Sequence, residues 1–130
     1  MKKIALTGTI ASGKTQAAAW LRAGGWPVFD ADQSARACLA KDHPAYARIV
    51  RAFSEDILDA DGTIDRSKLA AAVFGREAER RKLNAIVHPY VKAELRSFLA
   101  SCQSRLAFAE VPLLFEAGWE MEFDEIAVIV

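Results

Sequence analysis

The sequence predicts an α/β protein built on a mainly parallel sheet. Three observations carry that expectation. A short apolar run, a glycine-rich turn, a helical stretch and a second apolar run follow one another within the first 30 residues, the order of a βαβ unit. Two further apolar runs close the chain. Between them the sequence is helical in character, without internal repeats or low-complexity segments.

Ile4, Ala5 and Leu6 form a continuous apolar run ending at Gly8, as expected of a strand buried on both faces. From Gly13 the pattern turns helical through Ala17, Ala18, Trp20 and Leu21, and Gly24-Gly25 is a stop signal. "WPVFD" reads as the second strand, with Pro27 near its start, where a missing donor matters least. The crossover is expected to be right-handed, with the ligand side at the carboxyl ends of the strands.

"DADQSARACLA" begins the next helix, and a helix over 45–58 follows Pro44. "DADGT" at 59–63 is a turn. Placing Gly62 at the sixth position of a calcium loop puts Ile57 first and Lys68 last, which cannot coordinate Ca²⁺. Helices are expected over 65–74, 76–87 and 91–102, with His88-Pro89 as the turn joining the last two. Val91, Leu95, Phe98, Leu99 and Cys102 share one stripe of the last helix. "RLAFAEVPLLF" (105–115) is the third strand, leaving the sheet at Pro112, and "EIAVIV" (125–130) is the fourth, expected inside the sheet and followed by a helix.

The 130 residues argue for one domain, and 52% hydrophobic residues are enough for a core. Seventeen basic and seventeen acidic residues give a formal net charge of +0, which speaks against nucleic acid as a partner. Cys38 and Cys102 read as reduced thiols rather than a disulfide framework or a metal site. The apolar stretch after the initial lysines is too short for a signal peptide, and no run reaches the ~20 apolar residues of a membrane span. A cytoplasmic protein with no membrane partner is therefore expected.

The chemistry centres on "GTIASGKT", which matches G-x-x-x-x-G-K-[ST] at Gly8, Gly13, Lys14 and Thr15. Glycines let backbone N–H groups turn around phosphate oxygens, and the helix start adds its positive end. Lys14 reaches the β- and γ-phosphates, and the Thr15 hydroxyl can ligand Mg²⁺. A strand before and a helix after are the context the motif needs. At the end of the second strand, Asp30 and Gln33 have capping-box spacing. Asp32 falls in the first helical turn, suited either to the dipole or to accepting a proton from an attacking hydroxyl. Arg36, one turn on, can hold an anionic group.

Glu110, near the end of the third strand, reads equally as a carboxylate holding Mg²⁺ through water or as a solvated strand-end glutamate. Glu116 reads as helix-capping or substrate-facing, and His88 as a structural hydrogen bonder or a ligand. The basic run from Arg76 to Lys82 includes Glu77 and Glu79 and reads as a solvated face. Neither N-K-x-D nor L-S-G-G-Q occurs, so a GTPase or an ABC-type ATPase is not indicated.

"LTGTIASGKT", "VFDADQSAR", "DGTIDRSKLAAAVF", "HPYVKAEL" and "EVPLLFEAG", in that order across essentially the whole chain, resemble the dephospho-CoA kinase family. The resemblance implies a P-loop NTPase-like three-layer fold with a helical CoA-binding insertion at roughly residues 33–104 of a single domain. It implies transfer of the ATP γ-phosphate to the ribose 3′-hydroxyl of dephospho-CoA, with Mg²⁺ alongside ATP. Ala11, Ser12, Gly13, Lys14, Thr15 and Gln16, with Gly8, match the ATP-phosphate segment. Asp32 matches the presumed base, and Arg36, His88 and Glu116 match positions near the acceptor.

The family loop reads G-G-I-G-S-G-K-S-T, and here Thr9, Ala11 and Gln16 replace Gly, Gly and Thr. The family pattern also continues past the last strand into an arginine-bearing lid and a further strand. From this the chain is expected to be C-terminally incomplete and inactive or very weak alone. Another small-molecule P-loop kinase, such as a nucleoside monophosphate kinase, and a noncatalytic nucleotide- or CoA-binding remnant are the alternatives.

Overall fold

The computed structural model describes residues 1–8, 13–111 and 119–129. Ala11, Ser12 and Glu116, together with the exit at Pro112, lie outside the described residues. Two compact units divide the chain: Met1–Gln33 with Lys92–Val130, and Ser34–Val91.

The first unit holds the sheet. β1 (Lys2–Gly8), β2 (Val28–Asp30), β3 (Leu106–Glu110) and β4 (Glu125–Ile129) run in the order β2-β3-β1-β4, every pair parallel. The expected α/β class with a parallel sheet is what forms. β1 lies between β3 and β4, and its burial rises along the strand until Ala5, Leu6 and Thr7 are buried. Helix α1 (Lys14–Ala23) lays Ala18, fully buried, on the sheet against Leu6 and Phe108. Trp26 meets Phe108 edge-on at 6.3 Å, and Phe29 of β2 meets Phe98 at 5.5 Å. β4 stands at the edge of this sheet rather than inside it. It pairs with β1 along one side, and Ile126 and Val128 are 52% and 60% exposed.

The second unit is helical. α3 spans Ala45–Phe53 and α4 spans Arg66–Val73. The helix expected over 45–58 stops five residues early. Ser54 takes φ +67 and its hydroxyl accepts the Asp56 amide, opening a 3₁₀ turn over Glu55–Ile57. Serine offers the backbone such a local partner and so ends a helix more readily than it continues one. The 59–63 turn forms as expected, with Asp59 Oδ1 accepting the Asp61 and Thr63 amides and Gly62 at φ +83. Asp65 caps α4 through the Ser67 and Lys68 amides.

α2 (Ala31–Ala37) and α5 (Glu77–Ser101) each begin in one unit and end in the other. The turn expected at His88-Pro89 does not exist, because α5 runs straight through Pro89. An interior proline costs about 3 kcal/mol. Val87, Val91, Leu95 and Leu99 continue one apolar stripe across it, each no more than 5% exposed. Burying each such side chain contributes about 1.5–3 kcal/mol, so packing outweighs the lost amide.

Candidate functional site: the carboxyl edge of the parallel sheet

Because the strands are parallel, the last residues of β1, β2 and β3 (Gly8, Asp30 and Glu110) meet at one edge. In register, Glu110 stands beside Asp30 on one side and Leu6 on the other. α1 begins just beyond Gly13, which takes φ +87 and ψ 11 and caps the helix without a side chain. A residue with a Cβ is strained in that left-handed conformation. With no side-chain cap and no acid in its first turn, α1 leaves its first amides and its dipole to an anion. Lys14 is half-buried there, and Thr15 and Gln16 are exposed.

Asp30 is the cap of α2: its Oδ1 accepts the Gln33 amide at 3.0 Å. Asp32 lies half-buried in the first turn. It follows the carboxyl end of β2 by two positions. Arg36 and His88 belong to the helical unit, Arg36 exposed and His88 half-buried within α5.

Glu110 is only 5% exposed, so the solvated strand-end reading does not hold. Its Oε2 lies 3.4 Å from Arg22 Nη2 of α1. Burial pushes its carboxyl above the ordinary range and Asp30 adds to this, while Arg22 and Lys14 act in the opposite sense. Nothing in the sequence pointed to Arg22. It lies 88 residues from Glu110, and the only local signal is a base in the last turn of a helix.

The oxygens of Thr15 and Glu110 are hard donors of the kind Mg²⁺ takes. Among the described residues no three His, Cys, Asp or Glu side chains come together as a metal cage. A partial protein shell completed by water and phosphate is what Mg²⁺ ordinarily accepts, so the residues present fit this ion.

A parallel sheet with a glycine-capped helix start and acids at its carboxyl edge defines a P-loop α/β protein. The dephospho-CoA kinase (CoaE) family profile matches residues 2–130, and the chain belongs to that family. It is 45% identical to the dephospho-CoA kinase of Geobacillus kaustophilus over 129 residues, 97% of this chain and 64% of that protein. It is 45% identical to the Anaeromyxobacter dehalogenans dephospho-CoA kinase over 132 residues, 99% of this chain and 63% of that protein. Its fold is similar to that of the crystal structure of TT1252 from Thermus thermophilus, with a TM-score of 0.83 at 36% identity over 99% of this chain and 65% of that one. The dephospho-CoA kinase from Campylobacter jejuni gives a TM-score of 0.72 at 26% identity, covering 98% of this chain and 66% of that one. The chain thus spans less than two thirds of the length of these two relatives.

Proposed function

We propose that this site transfers the γ-phosphate of ATP to the ribose 3′-hydroxyl of dephospho-CoA, the last step of coenzyme A synthesis. The observation that carries the reading is the gathering of the α1 start, Glu110 and the β2–α2 corner at one sheet edge, in a chain of this family.

Each residue then has a task. Residues 8 and 11–16 wrap the ATP phosphates, with Lys14 on the β- and γ-phosphates. Thr15 and Glu110 hold Mg²⁺, which when bound offsets charge on the phosphate oxygens. Asp32 accepts the proton of the acceptor hydroxyl as its oxygen attacks phosphorus. By motif position, Arg36, His88 and Glu116 serve the acceptor. Among the described residues no helix is long and apolar enough to cross a membrane, and we infer a cytoplasmic setting alongside ATP and other soluble substrates.

An ADP-release assay with dephospho-CoA, AMP, CMP and UMP tests the proposal, with equilibrium binding of dephospho-CoA measured alongside. Binding of dephospho-CoA, with any ADP release, however slow, and any new phosphomonoester signal in the phosphorus NMR spectrum confined to dephospho-CoA among the four, is the expected result. Release with a nucleoside monophosphate instead, or neither turnover nor binding with dephospho-CoA, overturns it.

A further inference from the structure

Arg22 has no task in the reaction above, yet it reaches the carboxylate proposed to hold the metal. It lies in the last turn of α1 and stands 3.4 Å from Glu110 Oε2 and 3.5 Å from the Val28 carbonyl. Glu110 is 5% exposed and has the Asp30 carboxylate beside it in the sheet register. A buried carboxylate next to a second acid requires a cation within reach. Lys14 is one such cation, but bound phosphates draw its charge. Arg22 is the one that remains.

Its hold is loose. Both distances exceed those of ordinary N–H···O bonds, one carboxylate oxygen is engaged rather than two, and the side chain is 42% exposed. A guanidinium placed this way balances the charge without locking it.

We propose that Arg22 is the resident counter-cation of Glu110, which a divalent ion must displace or tolerate, so that Arg22 weakens the coupling between metal and nucleotide at this site. The inference rests on Glu110 being the metal carboxylate, as proposed above. A dication and a guanidinium drawn to one carboxylate repel each other, and removing the guanidinium strengthens metal binding by about 3- to 10-fold.

The test measures binding of a fluorescent ADP over a series of Mn²⁺ concentrations and in EDTA. The ratio of metal-bound to metal-free affinity reads the coupling directly, with melting curves to verify folding. Arg22→Gln is expected to raise that ratio about 3- to 10-fold while the EDTA affinity moves little, and Arg22→Lys is expected to stay near the parent. Glu110→Gln lowers the ratio, and adding Arg22→Gln to it produces no further change. An Arg22→Gln ratio equal to or below the parent's, with Glu110→Gln still lowering it, overturns the counter-cation role and leaves the metal role of Glu110 standing. A Glu110→Gln ratio equal to the parent's overturns both.

Discussion

Asp30 Oδ1 accepts the Gln33 amide at 3.0 Å. One carboxylate of the "DAD" triplet therefore closes the start of α2, and the second, Asp32, sits one position inside the helix at the carboxyl edge of the sheet. The two acids are separable in experiment. Asp30→Ala is expected to cost about 1 kcal/mol of stability, seen as a lowered denaturation midpoint. Asp32→Asn is expected to keep the midpoint and to lower turnover with dephospho-CoA about 10²–10⁴-fold. Equal loss of stability in both variants would count against the division.

Gly13 makes a second prediction. Among the described residues an added Cβ would meet nothing closer than Gln16 Oε1 at 4.0 Å, and the obstacle there is the torsion, φ +87. Gly13→Ala is expected to cost roughly 1–2 kcal/mol and to weaken ATP binding at least tenfold, since relieving the strain turns the α1 amides away. Nucleotide titration and a melting curve on the same sample measure both.

Pro89 lies exposed within α5. Pro89→Ala restores a helical amide and is expected to stabilise the chain by about 1–3 kcal/mol, without change in ATP affinity. Chemical denaturation checks the size, and a destabilised variant sinks the packing account of the continuous helix.

Glu122 contributes to the pH dependence of stability. Its carboxylate accepts from Arg96 Nη2 at 2.7 Å and Nε at 3.1 Å, with Lys92 at 3.7 Å. The Arg96 bonds, helped by Lys92, hold its carboxyl below the ordinary range. A lowered folded-state pKa means stability that is fully present above the unfolded value of about 4.3 and is lost as pH falls through the folded value. Glu122→Gln is expected to melt a few degrees below the parent at neutral pH, and the gap should close in acid. A gap that persists at low pH would show that Glu122 acts by packing instead.

Much was legible from local pattern. The apolar runs of β1 and β3, the Asp30 cap and the 59–63 turn each depend on neighbours in the chain, and each formed as expected. One error arose where packing outvoted a local rule, and another where a local hydrogen bond outvoted a helical pattern. Pro89 reads as a break, and only the buried stripe from Val87 to Leu99 carries the helix past it. Ser54 looks neutral within a helical run, yet its own hydroxyl ends the helix.

The sequence by itself determined the α/β class and the family, because the class resides in periodicity along the chain and the family in its ordered motifs. Only the tertiary structure decided the state of Glu110. Burial depends on what the sheet and α1 place over a residue, and the cation that answers its charge, Arg22, comes from α1, 88 residues away in the chain.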